Sequence, residues 1–212
     1  MSLYFTNEWF IHPQVVDKKT CNKIKRLAKN NWEGSSVDVK NEITDEERKT
    51  GKKGDYKPDP KYRTSDIAWT AEQWVYDTIW PFMEQANREA GWGYHIKAAE
   101  SMQITRYRKG GFYNFHQDGN GDHLSAYNDP TNAFMHGHVR KLSMTTLLSS
   151  NYSGGEFQFA TYGKEKCNIT TPEFDMVGSI IVFPSSIEHR VTPVTKGIRY
   201  SLVTWFVGPP FV

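Results

Sequence analysis

The sequence predicts a mostly β fold with flanking helices (α+β), arranged as an antiparallel sandwich or jelly roll. Two segments with helical periodicity come first, and about eight short strand segments follow them. Aromatic residues make up 14% of the chain, and prolines and glycines punctuate its C-terminal half, which is typical of β-rich folds with many turns. A length of 212 residues is enough for one large core. We therefore expect a single domain over 1–212, with helical support over about 1–97 and the strand core over about 98–208.

The N-terminal part is predicted to hold one edge strand and two helices. Aromatic residues within 3–11 favour a short edge strand. Over 15–31, apolar residues recur at helical spacing opposite a face of lysines, which predicts an amphipathic helix packed on a sheet. A solvated helix face explains these lysines better than a nucleic-acid interface does. A second helix is predicted over 68–90, with Pro81 expected to kink or restart it.

The sequence contains two long polar loops, one between the two predicted helices and one between strands of the core. Residues 33–62 are rich in glycine, proline and charge, and a loop of this length is either a lid or binding loop, or a passive mobile segment. Residues 119–138 form the second polar loop. The predicted strands cover 98–107, 112–118, 140–148, 156–161, 166–170, 178–183, 187–192 and 198–207.

Composition excludes several classes of protein. The 26 basic and 24 acidic residues leave a formal charge of +2, so bulk charge predicts neither a nucleic-acid partner nor an anionic membrane. Two cysteines far apart in sequence argue against a disulfide framework. The N-terminus lacks a signal-peptide pattern, and apolar runs long enough to span a bilayer are absent from the sequence. We therefore expect a soluble, cytoplasmic protein.

The first candidate site is the pair His116 and Asp118. On a strand, residues two apart point to the same side, so an imidazole and a carboxylate at this spacing can reach one ion. The pair supplies half of the facial triad of two histidines and one carboxylate that holds non-haem Fe(II). One His-x-Asp pair is a weak signal, and it needs a third ligand.

His189 is the predicted third ligand. It follows an apolar strand and a proline turn, and a jelly roll brings its last strands beside its second. Arg199, ten residues later, lies on an aromatic-rich strand where a buried guanidinium needs an anion. Ser201 is on the same face and can donate a hydroxyl to the same anion. These residues predict a small dicarboxylate with one end on Arg199 and the other on the metal.

The combined spacing resembles the Fe(II)- and 2-oxoglutarate-dependent dioxygenases, in their prolyl 4-hydroxylase-like branch. The resemblance runs from about Arg63 to Phe206. It includes Tyr107-x-x-Gly110-x-x-Tyr113-x-x-His116-x-Asp118, then Gly154-Gly155-Glu156-x-x-Phe159, then His189 with Arg199 ten residues on, and finally Trp205-Phe206.

The resemblance implies a double-stranded β-helix (jelly roll) core with N-terminal helices packed on one sheet. It further implies that His116, Asp118 and His189 hold Fe(II), and that Arg199 with Tyr107 binds 2-oxoglutarate as cosubstrate. Ascorbate serves such enzymes as a reductant of the iron. Aromatic walls of the substrate pocket are expected from Tyr113, Phe115 and Trp205.

Three functions stay open for the sequence. The leading one is a hydroxylase of a prolyl or other residue in a peptide or protein, which releases succinate and CO2. The second is a hydroxylase of a free amino acid or another small molecule, because both need the same triad. The third is a non-catalytic jelly-roll binding module, which the complete triad and Arg199 argue against. A nucleic-acid demethylase is disfavoured, because that branch carries another arginine shortly after the first and this chain has none.

Overall fold

The computed structural model describes residues 7–35, 37–38, 56–57, 59–119, 126–128, 130–162 and 167–211. Within these residues the helices are α1 (Lys18–Leu27) and α2 (Gln73–Glu89). The strands in the first half of the described chain are β1 (Phe10–His12), β2 (Glu33–Gly34), β3 (Val37–Asp38), β4 (Tyr56–Lys57), β5 (Arg63–Thr64), β6 (Asp66–Thr70), β7 (Ala98–Ala99) and β8 (Met102–Tyr107). The remaining strands are β9 (Phe112–His116), β10 (Val139–Leu147), β11 (Tyr152–Gly154), β12 (Phe157–Tyr162), β13 (Cys167–Thr170), β14 (Ile180–Pro184), β15 (Glu188–Val191), β16 (Val194–Gly197) and β17 (Arg199–Gly208).

Two antiparallel sheets form the body of the fold. The major sheet has the order β1-β14-β10-β17-β8-β6-β2, with β7 also paired to β17. The minor sheet has the order β13-β12-β15-β9-β5. Two further pairs, β11 with β16 and β3 with β4, lie outside these sheets. The predicted fold class is confirmed: the chain is a jelly roll with helices packed on one sheet.

The major sheet has a hydrophobic core on each of its faces. On the outer face, α1 and α2 bury residues such as Ile24 and Ile79 against Met144 and Leu202. On the inner face, the core is aromatic and joins the two sheets. Its buried members include Tyr107, Leu147, Phe157, Phe159, Ile181, Phe183 and Val191. Burial of an apolar side chain contributes about 1.5–3 kcal/mol, so these two cores fix the sheets around the space between them.

Helix α1 lies where the periodicity predicts it, although it is shorter than 15–31. The Asp17 side chain caps its first turn by accepting hydrogen bonds from the backbone N–H groups of Lys19 at 2.8 Å and Thr20 at 3.0 Å. Cys21 and Ile24 are fully buried under the helix.

The predicted start of the second helix is wrong. Residues 66–70 form β6, which pairs with β8 and buries Ile67 and Ala68 in the major sheet, and α2 begins only at Gln73. Sheet pairing therefore sets the structure of residues 68–70, which the sequence assigns to the helix. Pro81 neither ends nor restarts the helix, because the buried residues Ile79 and Met83 on either side hold it against the sheet.

All eight predicted strands are present, with small shifts at their ends. The loop predicted over 33–62 contains short strands instead: Glu33 pairs with Ile67, and Val37 pairs with Lys57. Most of this loop, and 120–125 of the second loop, lie outside the described residues, so their predicted role as lid or mobile segment is untested. The edge strand predicted over 3–11 is β1, which pairs with β14 at the end of the major sheet. Neither described helix is long and apolar enough to cross a membrane.

Candidate metal and cosubstrate site

His116, Asp118 and His189 meet between the two sheets. The candidate ligand atoms of the three side chains all lie within 4.8 Å of one another. Nε2 of His116 is 3.7 Å from Oδ1 of Asp118, and Nε2 of His189 is 3.6 Å from Oδ2. The two histidines are brought together by strand pairing, because His116 on β9 lies directly opposite His189 on β15.

Backbone carbonyls orient both imidazoles. Nδ1 of His116 lies 2.8 Å from the carbonyl oxygen of Asn114, and Nδ1 of His189 lies 3.0 Å from that of Ile187. A carbonyl oxygen only accepts hydrogen bonds, so each Nδ1 carries the proton and donates it. The lone pair of each Nε2 is then free to face the other two ligand atoms.

Asp118 reaches the site from outside the strand. Strand β9 ends at His116, so the predicted placement of both residues on one strand holds for His116 alone. Asp118 is held by the major sheet instead: its N–H donates to the carbonyl of Ser185 at 3.0 Å, and Oγ of Ser143 donates to Oδ2 at 2.7 Å. The Ser143 and Ser185 hydroxyls lie 2.9 Å apart, which completes a short hydrogen-bonded chain.

The environment fixes the charge states that a metal site needs. Burial, and after it the neighbouring His189, lower the pKa of His116 to about 3, so His116 is neutral at pH 7. Burial alone would raise the pKa of Asp118, but the nearby imidazoles of His189 and His116 outweigh it and the pKa is lowered. Two imidazoles and one ionised carboxylate, each with a free lone pair, suit Fe(II) and leave coordination positions open.

Arg199 forms a second polar centre in the same interior. It lies at the start of β17, opposite Tyr107 on β8, and is 1% exposed. Nη1 donates to Oγ of Ser201 at 3.2 Å, whereas Nε and Nη2 are buried without a hydrogen-bond partner in the described part of the chain. A buried guanidinium without a counter-ion is costly, so these two nitrogens fit a carboxylate bound in bidentate fashion.

Gly155 makes room for this arginine. An added Cβ at this position would lie 3.0 Å from Cδ of Arg199 and 2.9 Å from Cγ2 of Val194. Its φ of +65° is also one that other residues rarely adopt. The sequence indicated a turn at Gly154-Gly155, and the packing against Arg199 becomes visible only when β11 and β16 are placed.

Two of the three predicted pocket aromatics lie near the metal ligands. Tyr113 stacks on His116 with ring centroids 3.6 Å apart. Trp205 lies opposite Ser143, and the guanidinium carbon of Arg140 is 4.2 Å from its ring centre. The structure does not bring Phe115 to the site. Its ring lies 4.5 Å from the guanidinium of Arg190, which alternates with His189 along β15 and so points to the other face of the minor sheet.

Sequence reasoning missed Ser143, Ser185 and Arg140. Arg140 is paired with both carboxylate oxygens of Glu100, at 2.5 and 2.6 Å, and is close enough to Asp118 to help lower the pKa of that carboxyl. Isolated serines and one arginine carry no periodic signal. These residues could be recognised only from the pairing of β10 with β17, which places Ser143 opposite Trp205.

Comparison with known proteins gives one family. Residues 102–207 match the sequence model of the 2OG-Fe(II) oxygenase superfamily. The chain is 30% identical over 112 residues to a PKHD-type hydroxylase of Synechococcus sp. (strain CC9605), covering 52% of this chain and 43% of that protein. It is 33% identical over 105 residues to the PKHD-type hydroxylase YbiX of Escherichia coli O1:K1 / APEC, covering 48% and 40%. The chain thus spans less than half of the length of these curated relatives.

Solved structures share the fold at low sequence identity. A viral collagen prolyl hydroxylase from Paramecium Bursaria Chlorella virus-1, solved as a 2OG complex, aligns with a TM-score of 0.59 at 15% identity, over 98% of this chain and 99% of that one. A prolyl hydroxylase from Trichoplax adhaerens, in complex with a peptide fragment of a hypoxia inducible factor, aligns with a TM-score of 0.62 at 15% identity, over 95% and 84%.

The matched region contains both polar centres. Residues 102–207 run from the start of β8 to the end of β17 and include His116, Asp118, His189 and Arg199. The family's cofactors, Fe(II) and 2-oxoglutarate, agree with those predicted from the sequence. By this match and this geometry, the chain belongs to the 2OG-Fe(II) oxygenase superfamily.

Proposed function

We propose that the protein is an Fe(II)- and 2-oxoglutarate-dependent dioxygenase that hydroxylates a carbon atom of a residue in a peptide or protein. The observation that carries this proposal is the pairing of two centres in one interior. A facial set of two imidazoles and a carboxylate lies in the same interior between the sheets as a buried arginine, two of whose nitrogens have no hydrogen-bond partner in the described part of the chain. If the triad had only a structural role, the buried charge of Arg199 would have no explanation.

Each residue then has a defined part. Nε2 of His116, one carboxylate oxygen of Asp118 and Nε2 of His189 hold the metal. Arg199 binds the far carboxylate of 2-oxoglutarate through Nε and Nη2, and Ser201 adds its hydroxyl. Tyr107 lies opposite Arg199, with the guanidinium carbon 5.7 Å from its ring centre, and packs beside the bound carboxylate.

When bound, iron and 2-oxoglutarate supply the oxygen chemistry that converts C–H to C–OH and releases succinate and CO2. The protein holds the ligands in place and keeps water out of the site. Tyr113 and Trp205 provide apolar walls beside the metal ligands. Ascorbate, the predicted reductant, would re-reduce the bound iron.

The Trichoplax neighbour supports a peptide or protein substrate, since its structure holds a peptide in the same fold. An exposed aromatic residue beside the interior agrees with this choice. Trp69 is 46% exposed and lies 6.2 Å from Trp205 between ring centroids, which extends the apolar wall from the interior to the surface. A substrate longer than a free amino acid would contact this wall.

The proposal is tested by incubating the protein with Fe(II), 2-oxoglutarate, oxygen and a panel of proline-rich peptides. Succinate and a gain of one oxygen atom in the peptide are followed by mass spectrometry. We expect peptide-stimulated succinate release, and we expect His189→Ala to lose both iron binding and turnover. Absence of succinate with and without peptide, together with unchanged iron binding in His189→Ala, would contradict the proposal. Stimulation by free amino acids and not by peptides would replace the peptide substrate with a small molecule.

A further inference from the structure

A basic groove lies on the outer side of the major sheet, away from the metal site. It is lined by Lys25, Arg26, Lys29, Trp32, Arg106 and Tyr200, and has a volume of about 600 Å³. Tyr200 and Arg106 lie opposite each other on β17 and β8 and alternate with Arg199 and Tyr107, so they point away from the interior. Helix α1 supplies the other wall.

The positive charge of the groove continues beyond it. Arg106 also lines a neighbouring depression that contains Arg108, Lys109 and Asp66. Six cations and one carboxylate give this combined surface a formal charge of +5, while the whole chain carries +2. The rest of the chain therefore sums to −3, and the positive charge is concentrated on one side.

Three of the four cations that line the groove itself have no counter-charge in the described part of the chain. Asp66 pairs with Arg106 at 2.8 Å and with Arg108 at 3.3 Å. Lys25, Arg26 and Lys29 form no ion pair with a described residue. A solvated helix face accounts for lysines on α1, but not for their convergence with an arginine and two aromatic rings from the sheet.

The aromatic rings in the groove are already covered by cations. The guanidinium carbon of Arg106 lies 4.1 Å from the ring centre of Trp32, and Nζ of Lys25 lies 5.5 Å from that of Tyr200. The two rings also pack against each other, with centroids 6.1 Å apart. Single-stranded nucleic acid binds by stacking its bases on open ring faces. The groove therefore suits carboxylates better than nucleotides.

We propose that the basic groove binds an extended acidic segment of a protein partner, with carboxylates at alternate residues. Lys25 lies in the last turn of α1, and Lys29 lies just past the end of the helix at Leu27, so both line the groove. Alternate residues of an extended peptide point to the same side, so their carboxylates can face these two lysines together. Trp32 and Tyr200 hold the cations in place through their rings. This binding is independent of the proposed hydroxylase activity.

The test measures binding of fluorescein-labelled peptides to the full chain by fluorescence anisotropy. The probe is a twelve-residue peptide in which Glu alternates with Ser, and the matched control peptide has Gln in place of Glu. We expect the Glu peptide to bind and the Gln peptide not to bind, with an affinity that falls as salt is raised. The double variant Lys25→Glu/Lys29→Glu is expected to weaken binding at least tenfold.

The control variant is Lys18→Glu/Lys19→Glu, which changes the net charge equally at the start of α1, outside the groove. It is expected to bind within about twofold of wild type, with circular dichroism confirming that both variants are folded. Equal weakening in the two double variants, or absence of Glu-peptide binding at low salt, would overturn the proposal. Tighter binding of twelve-nucleotide oligo(dT) than of the Glu peptide would overturn it in favour of a nucleic-acid partner.

Discussion

The guanidinium of Arg199 is the feature that distinguishes a cosubstrate site from a bare metal site. Charged hydrogen bonds contribute about 1.5–3 kcal/mol each, so loss of the bidentate contact should weaken 2-oxoglutarate binding at least tenfold. We expect this for Arg199→Gln, and a smaller loss for Arg199→Lys, which keeps the charge but not the planar fork. Isothermal titration of 2-oxoglutarate into Ni(II)-loaded protein measures it.

Arg190→Gln is the matched control for this substitution. Arg190 bonds to Gln158 at 2.8 Å on the other face of the minor sheet, so its removal should leave 2-oxoglutarate affinity unchanged. If Arg199→Gln binds 2-oxoglutarate as tightly as wild type, Arg199 has only a structural role.

Ser143 positions the carboxylate of Asp118 without itself reaching the metal. Its hydrogen bond occupies Oδ2 and leaves Oδ1 as the less hindered ligand. Loss of such a supporting bond lowers metal affinity about 10–100-fold in other metal sites. We therefore expect Ser143→Ala to bind Co(II) at least tenfold more weakly, as read from the visible absorption of the bound ion.

Ser179→Ala is its control, because Ser179 is equally buried and accepts a hydrogen bond from the N–H of Gln14. Co(II) affinity should be unchanged in that variant. Similar losses in both variants would show that the effect of Ser143→Ala is general destabilisation.

The lowered pKa of His116 makes the metal-free protein sensitive to acid. Folding lowers the pKa of His116 from 6.5 to about 3, so between these pH values the unfolded chain binds a proton that the folded chain does not. The contribution of this one histidine to the free energy of unfolding is fully present above pH 6.5. It is lost by about 1.4 kcal/mol per pH unit as the pH falls towards 3. Urea unfolding at several pH values, with His116→Gln for comparison, measures the slope. An equally steep fall in His116→Gln would assign the slope to other groups, such as His12, whose pKa burial also lowers.

The β11–β12 connection sets the position of Arg199 through Gly155. Gly155→Ala forces a side chain into a φ of +65° and against the Cδ atom of Arg199. We expect a loss of about 1–3 kcal/mol in the free energy of unfolding and weaker 2-oxoglutarate binding. Gly34→Ala is the control, because an added Cβ there meets nothing within 4 Å. Thermal unfolding and titration of both variants distinguish the two effects, and unaltered 2-oxoglutarate binding in Gly155→Ala would contradict the proposed contact.

Strands with strong periodicity were predictable from sequence, whereas short ones were not. The eight predicted strands are present because alternation and turn residues mark each of them locally. The sequence assigns residues 68–70, the end of β6, to the second helix, because the pairing of β6 with β8 depends on residues about 35 positions away. The same limit applies to Phe115: an irregular register between β9 and β15 turns Tyr113 and His116 to one side, and spacing cannot reveal that shift.

The metal ligands connect the two sheets of the whole molecule. His116 and His189 belong to the minor sheet. Asp118 is hydrogen-bonded to Ser143 on β10 of the major sheet and to Ser185 in the turn that follows β14. A metal that binds the folded chain alone stabilises it by about 2.7 kcal/mol at 100 times the dissociation constant. We expect Ni(II) to raise the melting temperature, EDTA to reverse the rise, and Asp118→Ala to abolish it. A rise of equal size in Asp118→Ala would place the ion elsewhere.

The extent of the single domain over 1–212 stays a prediction.

The pairing of His116 with His189 across β9 and β15 also makes metal binding a reporter of correct folding. A shift of one residue in the register of these strands would turn one imidazole to the opposite face and separate the ligands. Molecules refolded with a slipped minor sheet would keep their secondary structure and lose the ion. Fractionation of refolded protein on an immobilised-metal column would therefore separate correctly aligned chains from misaligned ones that circular dichroism does not distinguish.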